Sequence, residues 1–194
     1  MGDNTIIPEI VTITGCAGFI GSHATDLFLH EGYQVLGIDK FTYASNENNL
    51  SRAYKNTNFV LAKLDICETN SVSSFAKMSS WVINFAAETH VDNSITDSSN
   101  FIESNIKGVH SILEACRASN TKLLHVSTDE VYGSIKYGSH HEDSRLNPKN
   151  PYSATKASAE HLIRSYANTY NVEYIIVRPS NNFGPRQHSE KFLP

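Results

Sequence analysis

Cysteine is scarce in this chain, with three in 194 residues at Cys16, Cys67 and Cys116, and no Cys-x-x-Cys pair. So few, odd in number and widely spaced, they argue against a disulfide framework and for a reducing, cytosolic setting. Each reads as a small buried hydrophobe. No apolar run approaches the roughly 20 residues needed to span a bilayer, so no transmembrane helix is expected. A basic excess is also missing. Sixteen Lys+Arg stand against 20 Asp+Glu, a net charge of −4, which argues against a nucleic-acid binder. Ten glycines and six prolines are too scattered to form a linker, and there is no internal repeat or low-complexity stretch. The start, Met1-Gly2-Asp3-Asn4, lacks the basic and apolar regions of a signal peptide, and Ile6 stands where a myristoylated Gly2 would need Ser or Thr.

What the chain does have is enough apolar content, 40% against 19% charged, to bury one core, and a length suited to one domain. Apolar strand-like runs recur at Ile10–Thr14, Val35–Asp39, Phe59–Leu64, Trp81–Ala86, Leu123–Ser127 and Tyr174–Val177. Between them lie helical spacings. One is Ile20, Ala24, Leu27, Phe28, with Gly32 to cap it. Another is Ile102, Ile106, Val109, Leu113, Cys116, and a third is Leu162, Ile163, Tyr166, Ala167, Tyr170. Short, continuously apolar strands alternating with helices predict an α/β fold: a Rossmann-like, doubly wound parallel sheet with helices on both faces. Residues Ser189 to Pro194 complete no further element, so the chain stops at a connection.

After the first strand comes Gly15-Cys16-Ala17-Gly18-Phe19-Ile20-Gly21, a G-x-x-G-x-x-G spacing. One glycine permits a tight turn, one lets backbone approach a pyrophosphate, and one lets the helix pack closely on the sheet. The helix N-terminus offers free N–H groups to the anion. Asp39 ends the second strand at the interval where an acid accepts both ribose hydroxyls, and its charge repels a 2′-phosphate. The expected cofactor is therefore NAD rather than NADP, with Lys40 partly offsetting the repulsion. Asp65 and Ile66 end the third strand and could border an adenine pocket.

Tyr152 and Lys156 share a helix face. A lysine cation beside a phenol lowers its pKa from about 10, which would make Tyr152 a base near neutral pH. Ser127-Thr128-Asp129-Glu130 follows the fifth strand, at the sheet edge where ligands sit. Thr128 could bond a substrate hydroxyl, and two adjacent carboxyls in different surroundings can split acid and base roles. For His90, Asp92 and His125, a satisfied polar side chain is favoured over a metal ligand, since no His/Cys/Asp grouping has ligand spacing. No metal is expected.

These motifs carry a resemblance. Thr14–Ser22, Tyr152-Ser-Ala-Thr-Lys156 and Arg178-Pro-Ser-Asn-Asn-Phe-Gly-Pro185 resemble the extended short-chain dehydrogenase/reductases that act on nucleotide sugars. The runs Asp39–Ala44, Ala86–Ile95 and Ser127–Gly133 resemble, within that family, the 4,6-dehydratase branch acting on dTDP-glucose. The likeness covers essentially the whole chain, and the Asp129-Glu130 pair is its most specific element. Cys16 replaces a glycine usual in the family, which is tolerable if its φ is negative.

The resemblance implies a lyase converting dTDP-glucose to dTDP-4-keto-6-deoxyglucose with internally recycled NAD. Tyr152 would take the O4 proton, Glu130 the C5 proton, and Asp129 would protonate the departing C6 hydroxyl, with Thr128 and Lys156 completing the catalytic set. Gly15, Gly18, Phe19, Ile20 and Gly21 would meet the pyrophosphate. Asp39, Lys40, Phe41, Thr42, Asp65 and Ile66 would surround adenosine. Phe85, Ala86, Ala87 and Thr89 would line the nicotinamide end, with Ser104, Tyr152, Lys156 and Asn182 also on NAD. Thr89, Thr128 and Asn181 would touch the sugar nucleotide.

Family members are longer, so residues 1–194 are read as the NAD-binding domain carrying the catalytic residues, without the C-terminal substrate-binding region. NAD binding should then survive better than turnover. Residues 100–118 and 152–170 correspond to the helices through which relatives form homodimers. The alternatives are UDP-glucose as substrate, or a catalytically silent NAD-binding module.

Overall fold

The computed structural model describes residues 8–189. The expectations about Gly2 and Ile6, and about the last residues from Glu190, lie outside the described residues.

Six strands form one sheet: β1 (Ile10–Thr14), β2 (Gln34–Asp39), β3 (Phe59–Lys63), β4 (Trp81–Asn84), β5 (Lys122–Val126) and β6 (Tyr174–Val177). All pair in parallel, in the order β3-β2-β1-β4-β5-β6. The chain winds outward from β1 to β3, then returns to β4 and winds the other way. The switch point therefore lies between β1 and β4, where their C-terminal ends open a crevice.

Helices cover both faces. On one lie α2 (Thr69–Ala76), α5 (Gly108–Ser119) and α6 (Pro151–Tyr170), with Val72, Ile112, Leu113 and Ile163 in the core. On the other, α1 (Phe19–His30) and two short 3₁₀ turns pack Leu29, Leu50 and Ala53 against Val11, Ile13 and Val35. The doubly wound expectation holds.

Four details differ from the sequence reading. First, β3 and β6 are the sheet edges, so their burial alternates, and Ile175 and Val177 are exposed. Second, the buried face of α1 is Gly21, Ser22, Thr25 and Leu29, while Ile20 and Leu27 point outward. Ala24 and Phe28 pack against the core as the spacing predicts, but small residues let the helix approach the sheet closely, so Ile20 and Leu27 were misplaced. Third, the helical spacing from Ile102 is interrupted. α3 (Val91–Thr96) and α4 (Ser99–Ile102) lead into one π-turn (Glu103–Lys107) before α5. The extra residue rotates the stripe, leaving Ile102 exposed and burying Phe101, Ser104 and Asn105. Fourth, Cys16 and Cys116 are buried as expected but Cys67 is half-exposed.

Helix ends follow local chemistry. After α1, the N–H groups of Gly32 and Tyr33 bond the carbonyls of Leu29 and Phe28, and Gly32 takes φ +87°. At the start of α6, Asn150 accepts from the Ser153 N–H, the Ser153 hydroxyl faces the Asn150 N–H, and Pro151 opens the first turn. The Asn150 amide also donates to Glu130 at 3.1 Å. Asn150→Ala should cost about 1 kcal/mol, a fall of about 2–4 °C in Tm. Asn150→Asp should keep the cap but set two carboxylates against each other. Thermal melts of the two variants check both statements.

Candidate functional site

A cavity of about 750 Å³ opens at the switch point, within the range of small-molecule and cofactor sites. Its floor is the glycine loop. Gly15 has φ +68°, and a Cβ there would lie 2.7 Å from the Ala86 N. At Gly21 a Cβ would meet the Gly15 carbonyl oxygen at 2.1 Å. These two glycines thus let the β1 loop touch the β4 loop and let α1 sit on the turn. Gly15, Gly18, Phe19, Ile20 and Gly21 all line the cavity, beneath the N-terminus of α1. Cys16 avoids positive φ, and its Sγ fills the space that a Cβ at Gly37 would need.

Asp39 lines the cavity and is buried. Its carboxylate accepts from Ala17 N at 2.9 Å, Phe41 N at 2.8 Å and the Ser45 hydroxyl at 2.9 Å. Three donors leave about one of a carboxylate's roughly four acceptor sites open. Lys40 and Thr42 line the cavity, but Phe41 does not. With φ 58°, Phe41 turns its ring toward the core beside Leu61, under the Lys63 ammonium. Nor does Asp65 line it. Asp65 instead holds Lys40 at 3.3 Å, and Lys40 also reaches the Ser104 hydroxyl at 3.3 Å. Burial opposes the Asp65 charge, but the Cys67 N–H and Lys40 outweigh it and hold the carboxyl below its ordinary value. Ile66, Ser104, Phe85, Ala86, Ala87 and Thr89 line the wall.

At the other end, Thr128 and Lys156 line the cavity, and Asn181 and Asn182 stand at its exposed mouth. Tyr152 is buried just behind this wall, Asp129 is exposed and Glu130 half-buried, all three outside the lining. The Thr128 hydroxyl accepts from the Glu130 N–H and bonds the Tyr152 phenol. The expected activation of Tyr152 by Lys156 is not found here. Burial pushes the phenol up to about 12, the Thr128 bond lowers it, and the Glu130 and Asp129 charges raise it further. Lys156 points elsewhere. Its ammonium donates to the Val126 carbonyl at 2.7 Å and faces the His125 Nε2 at 3.4 Å. Burial lowers Lys156 to about 8, against the opposing effect of Glu160.

The sequence reading passed over three features. Asn84 bridges Thr14 and His125 beneath the cavity, though a polar residue ending an apolar strand was a visible signal. Glu160, wholly buried, binds Arg178 at 2.6 Å and the Ser127 hydroxyl at 2.6 Å. It interrupts the buried stripe of α6 between Lys156 and Ile163. Third, the segment after Asn182 straps over α1. A Cβ at Gly184 would lie 3.8 Å from the Phe19 ring, the Pro185 carbonyl meets His23 at 3.0 Å, and Arg186 pairs with Asp26 at 2.6 Å. Of the histidines set aside as metal ligands, His125 is buried and partnered, and the His90 ring accepts from the Asn93 N–H. Among the described residues no group of three His, Cys, Asp or Glu side chains could hold a metal ion, and no helix is long and apolar enough to cross a membrane.

Comparison with known proteins agrees with this geometry. The GDP-mannose 4,6 dehydratase family model matches residues 12–194. A dTDP-glucose 4,6-dehydratase of Mycolicibacterium smegmatis is 41% identical over 187 residues, covering 94% of this chain and 56% of that protein. A trifunctional UDP-glucose 4,6-dehydratase/epimerase/reductase of Arabidopsis thaliana is 40% identical over 203 residues, covering all of this chain and 30% of that protein. The crystal structure of the Streptomyces venezuelae dTDP-glucose 4,6-dehydratase DesIV, with NAD and TYD bound, superposes with a TM-score of 0.93 at 38% identity. It covers 95% of this chain and 60% of that one. The chain thus spans 30% to 60% of the length of these relatives. From the extent of the family match and the close agreement of fold, the chain belongs to the GDP-mannose 4,6 dehydratase family.

Proposed function

We propose that residues 1–194 form the NAD-binding domain, bearing the catalytic residues, of a nucleotide-sugar 4,6-dehydratase whose substrate is dTDP-glucose. The carrying observation is one cavity with the glycine loop at one end and Thr128 and Lys156, backed by Tyr152 and Glu130, at the other. The cradle fits a dinucleotide, because its close loop-to-loop approach leaves no room for a Cβ at Gly15 or Gly21. The Asp39 carboxylate favours an unphosphorylated ribose, hence NAD.

NAD, when bound, supplies an acceptor that takes a hydride from C4 and returns it to C6. The chain's own residues move the protons. Tyr152 takes the O4 proton as its phenolate, which the positive nicotinamide ring of bound NAD would favour, with Thr128 orienting the hydroxyl. The 4-ketone acidifies C5–H, and Glu130 removes that proton. Asp129 protonates the C6 hydroxyl, which leaves as water as the C6–O bond breaks. Glu130 then reprotonates C5. The Asn150 amide on Glu130 and the Thr128 hydroxyl on Asp129 (3.4 Å) keep both carboxylates near Tyr152. Asn181 and Thr89 meet the sugar nucleotide. Two copies pair through residues 100–118 and 152–170, which pack side by side on one face of the sheet.

A second reading, UDP-glucose as substrate, is supported by the Arabidopsis relative. Proton NMR in D₂O with NAD and each sugar nucleotide tests both. A 6-deoxy-4-keto product carrying deuterium at C5 is expected, strongest with dTDP-glucose and slow for this chain alone. Glu130→Gln should abolish exchange at C5 and leave NAD binding intact. A chain that does not bind NAD would overturn the proposal. One that binds NAD but gives neither product nor C5 exchange fits the NAD-binding domain by itself and the silent module alike, and the same test on a longer chain decides between them.

A further inference from the structure

Strand register sets a row of buried polar side chains beneath the cavity. Thr14 of β1 pairs with Asn84 of β4, and Asn84 with His125 of β5, so the three stand side by side on one face of the sheet. All are buried. The Thr14 hydroxyl meets Asn84 Oδ1 at 2.5 Å, Asn84 Nδ2 meets His125 Nδ1 at 3.0 Å, and His125 Nε2 meets Lys156 Nζ at 3.4 Å. At its far end the Thr14 hydroxyl accepts from the Ala86 N–H (3.4 Å), and Ala86 lines the cavity.

Such a row has a polarity. Where the Asn84 NH₂ donates to Nδ1, a neutral imidazole carries its proton on Nε2, and Lys156 must then receive it as a free amine. Where the Asn84 amide is turned, its oxygen accepts from Nδ1–H, and Nε2 accepts from the Lys156 ammonium. The two ends of an amide have nearly the same shape, and a hydroxyl both donates and accepts, so the same packing admits either polarity. Among the described residues, Asn84 and Lys156 are the side chains hydrogen-bonded to the His125 ring.

We propose that His125 is the positioning residue for Lys156, its ring proton moving between Nδ1 and Nε2 as Lys156 loses or gains its own. The imidazole stays neutral throughout, since burial and then the Lys156 charge hold its pKa well below the ordinary value. Lys156 is thereby held as a reversible proton carrier at the cavity wall, with its charge state carried through Asn84 as far as the Thr14 hydroxyl. The other charges around Lys156 are Glu160 and Tyr152 on its own helix, Arg178 just after β6, which neutralises Glu160, and Asp129 and Glu130 beyond Tyr152. Only the catalytic meaning of the relay rests on the function proposed above. The coupling is a property of the chain itself.

The test is ¹⁵N–¹H correlation of the imidazole rings in the ¹⁵N-histidine-labelled chain, from about pH 6 to about pH 10. Nine histidines are present, of which His125 alone is wholly buried, and loss of a signal in His125→Gln assigns it. The expected result is a neutral ring whose protonated nitrogen changes from Nδ1 to Nε2 as pH rises, with a midpoint near 8. Lys156→Met should hold a single tautomer at every pH. A wild-type ring with a fixed tautomer, or one that charges near its ordinary value of about 6.5, would overturn the proposal, as would a switch that persists in Lys156→Met. Should that variant fail to fold, the wild-type titration decides alone. NAD binding or turnover can fail without touching this result.

Discussion

Replacing Gly21 with alanine is expected to abolish NAD binding and to cost about 3 kcal/mol of stability, the upper part of the usual range for overpacking. The new Cβ would lie 2.1 Å from the Gly15 carbonyl oxygen, 2.8 Å from the Gly15 carbonyl carbon and 3.2 Å from Cys16 Cα. All three are backbone atoms, so no side chain can swing aside. Either α1 lifts from the sheet or the turn opens, and both displace the N–H groups at the cavity floor. For a chain of this length the melting temperature should fall by about 6–12 °C. Gly32→Ala is the control. It sits at φ +87° with open space around it, so it should lose only the left-handed preference, about 1 kcal/mol, with NAD affinity unchanged. Thermal melts and an NAD titration of the two variants separate close approach from backbone freedom. A Gly21→Ala chain that binds NAD like wild type would sink the cradle described here.

The second large effect is expected at Glu160, far from the glycine loop. Its carboxylate is wholly buried and takes three bonds from Arg178: Nε at 2.9 and 3.2 Å and Nη2 at 2.6 Å, besides the Ser127 hydroxyl. Arg178, its side chain 9% exposed, also donates to the Tyr132 hydroxyl and to the Glu142 carbonyl, and lies over the Tyr132 ring. One ion pair therefore ties α6 to the end of β6 and to the segment after β5, the elements that place Lys156, Tyr152 and Thr128. Glu160→Ala strands a guanidinium charge away from water and should cost about 3–5 kcal/mol, or about 6–20 °C in Tm. Replacing both partners, Glu160→Met with Arg178→Met, should recover most of that loss, because the desolvation penalty leaves with the charges. A double-mutant cycle by urea unfolding checks it. A single variant within about 1 kcal/mol of wild type would show a pair of the surface kind.

Local pattern by itself determined much of this protein. A β-branched run marked β1 and short apolar runs marked the strands after it, because a strand buried on both faces must be apolar throughout; the edge strands β3 and β6 are not so buried. Three glycines after β1, Asp39 after β2, and the Tyr152/Lys156 spacing placed the cavity, because phosphate approach, ribose contact and a shared helix face each need residues close in sequence. What lay beyond that reading depends on atoms brought together by folding. The N-terminal end of the inner face of α1 is small because Gly21 touches Gly15 across the turn. Phe41 leaves the cavity because its left-handed backbone turns the ring to the core. Lys156 reaches Val126 and His125 rather than Tyr152 because β5 presents a carbonyl and a ring nitrogen to it. The Thr14–Asn84–His125 row spans three strands, and Glu160 meets Arg178 on a different element. Periodicity tells which face of an element is buried, but strand pairing and helix packing decide what that face meets, and these polar partners were decided only there.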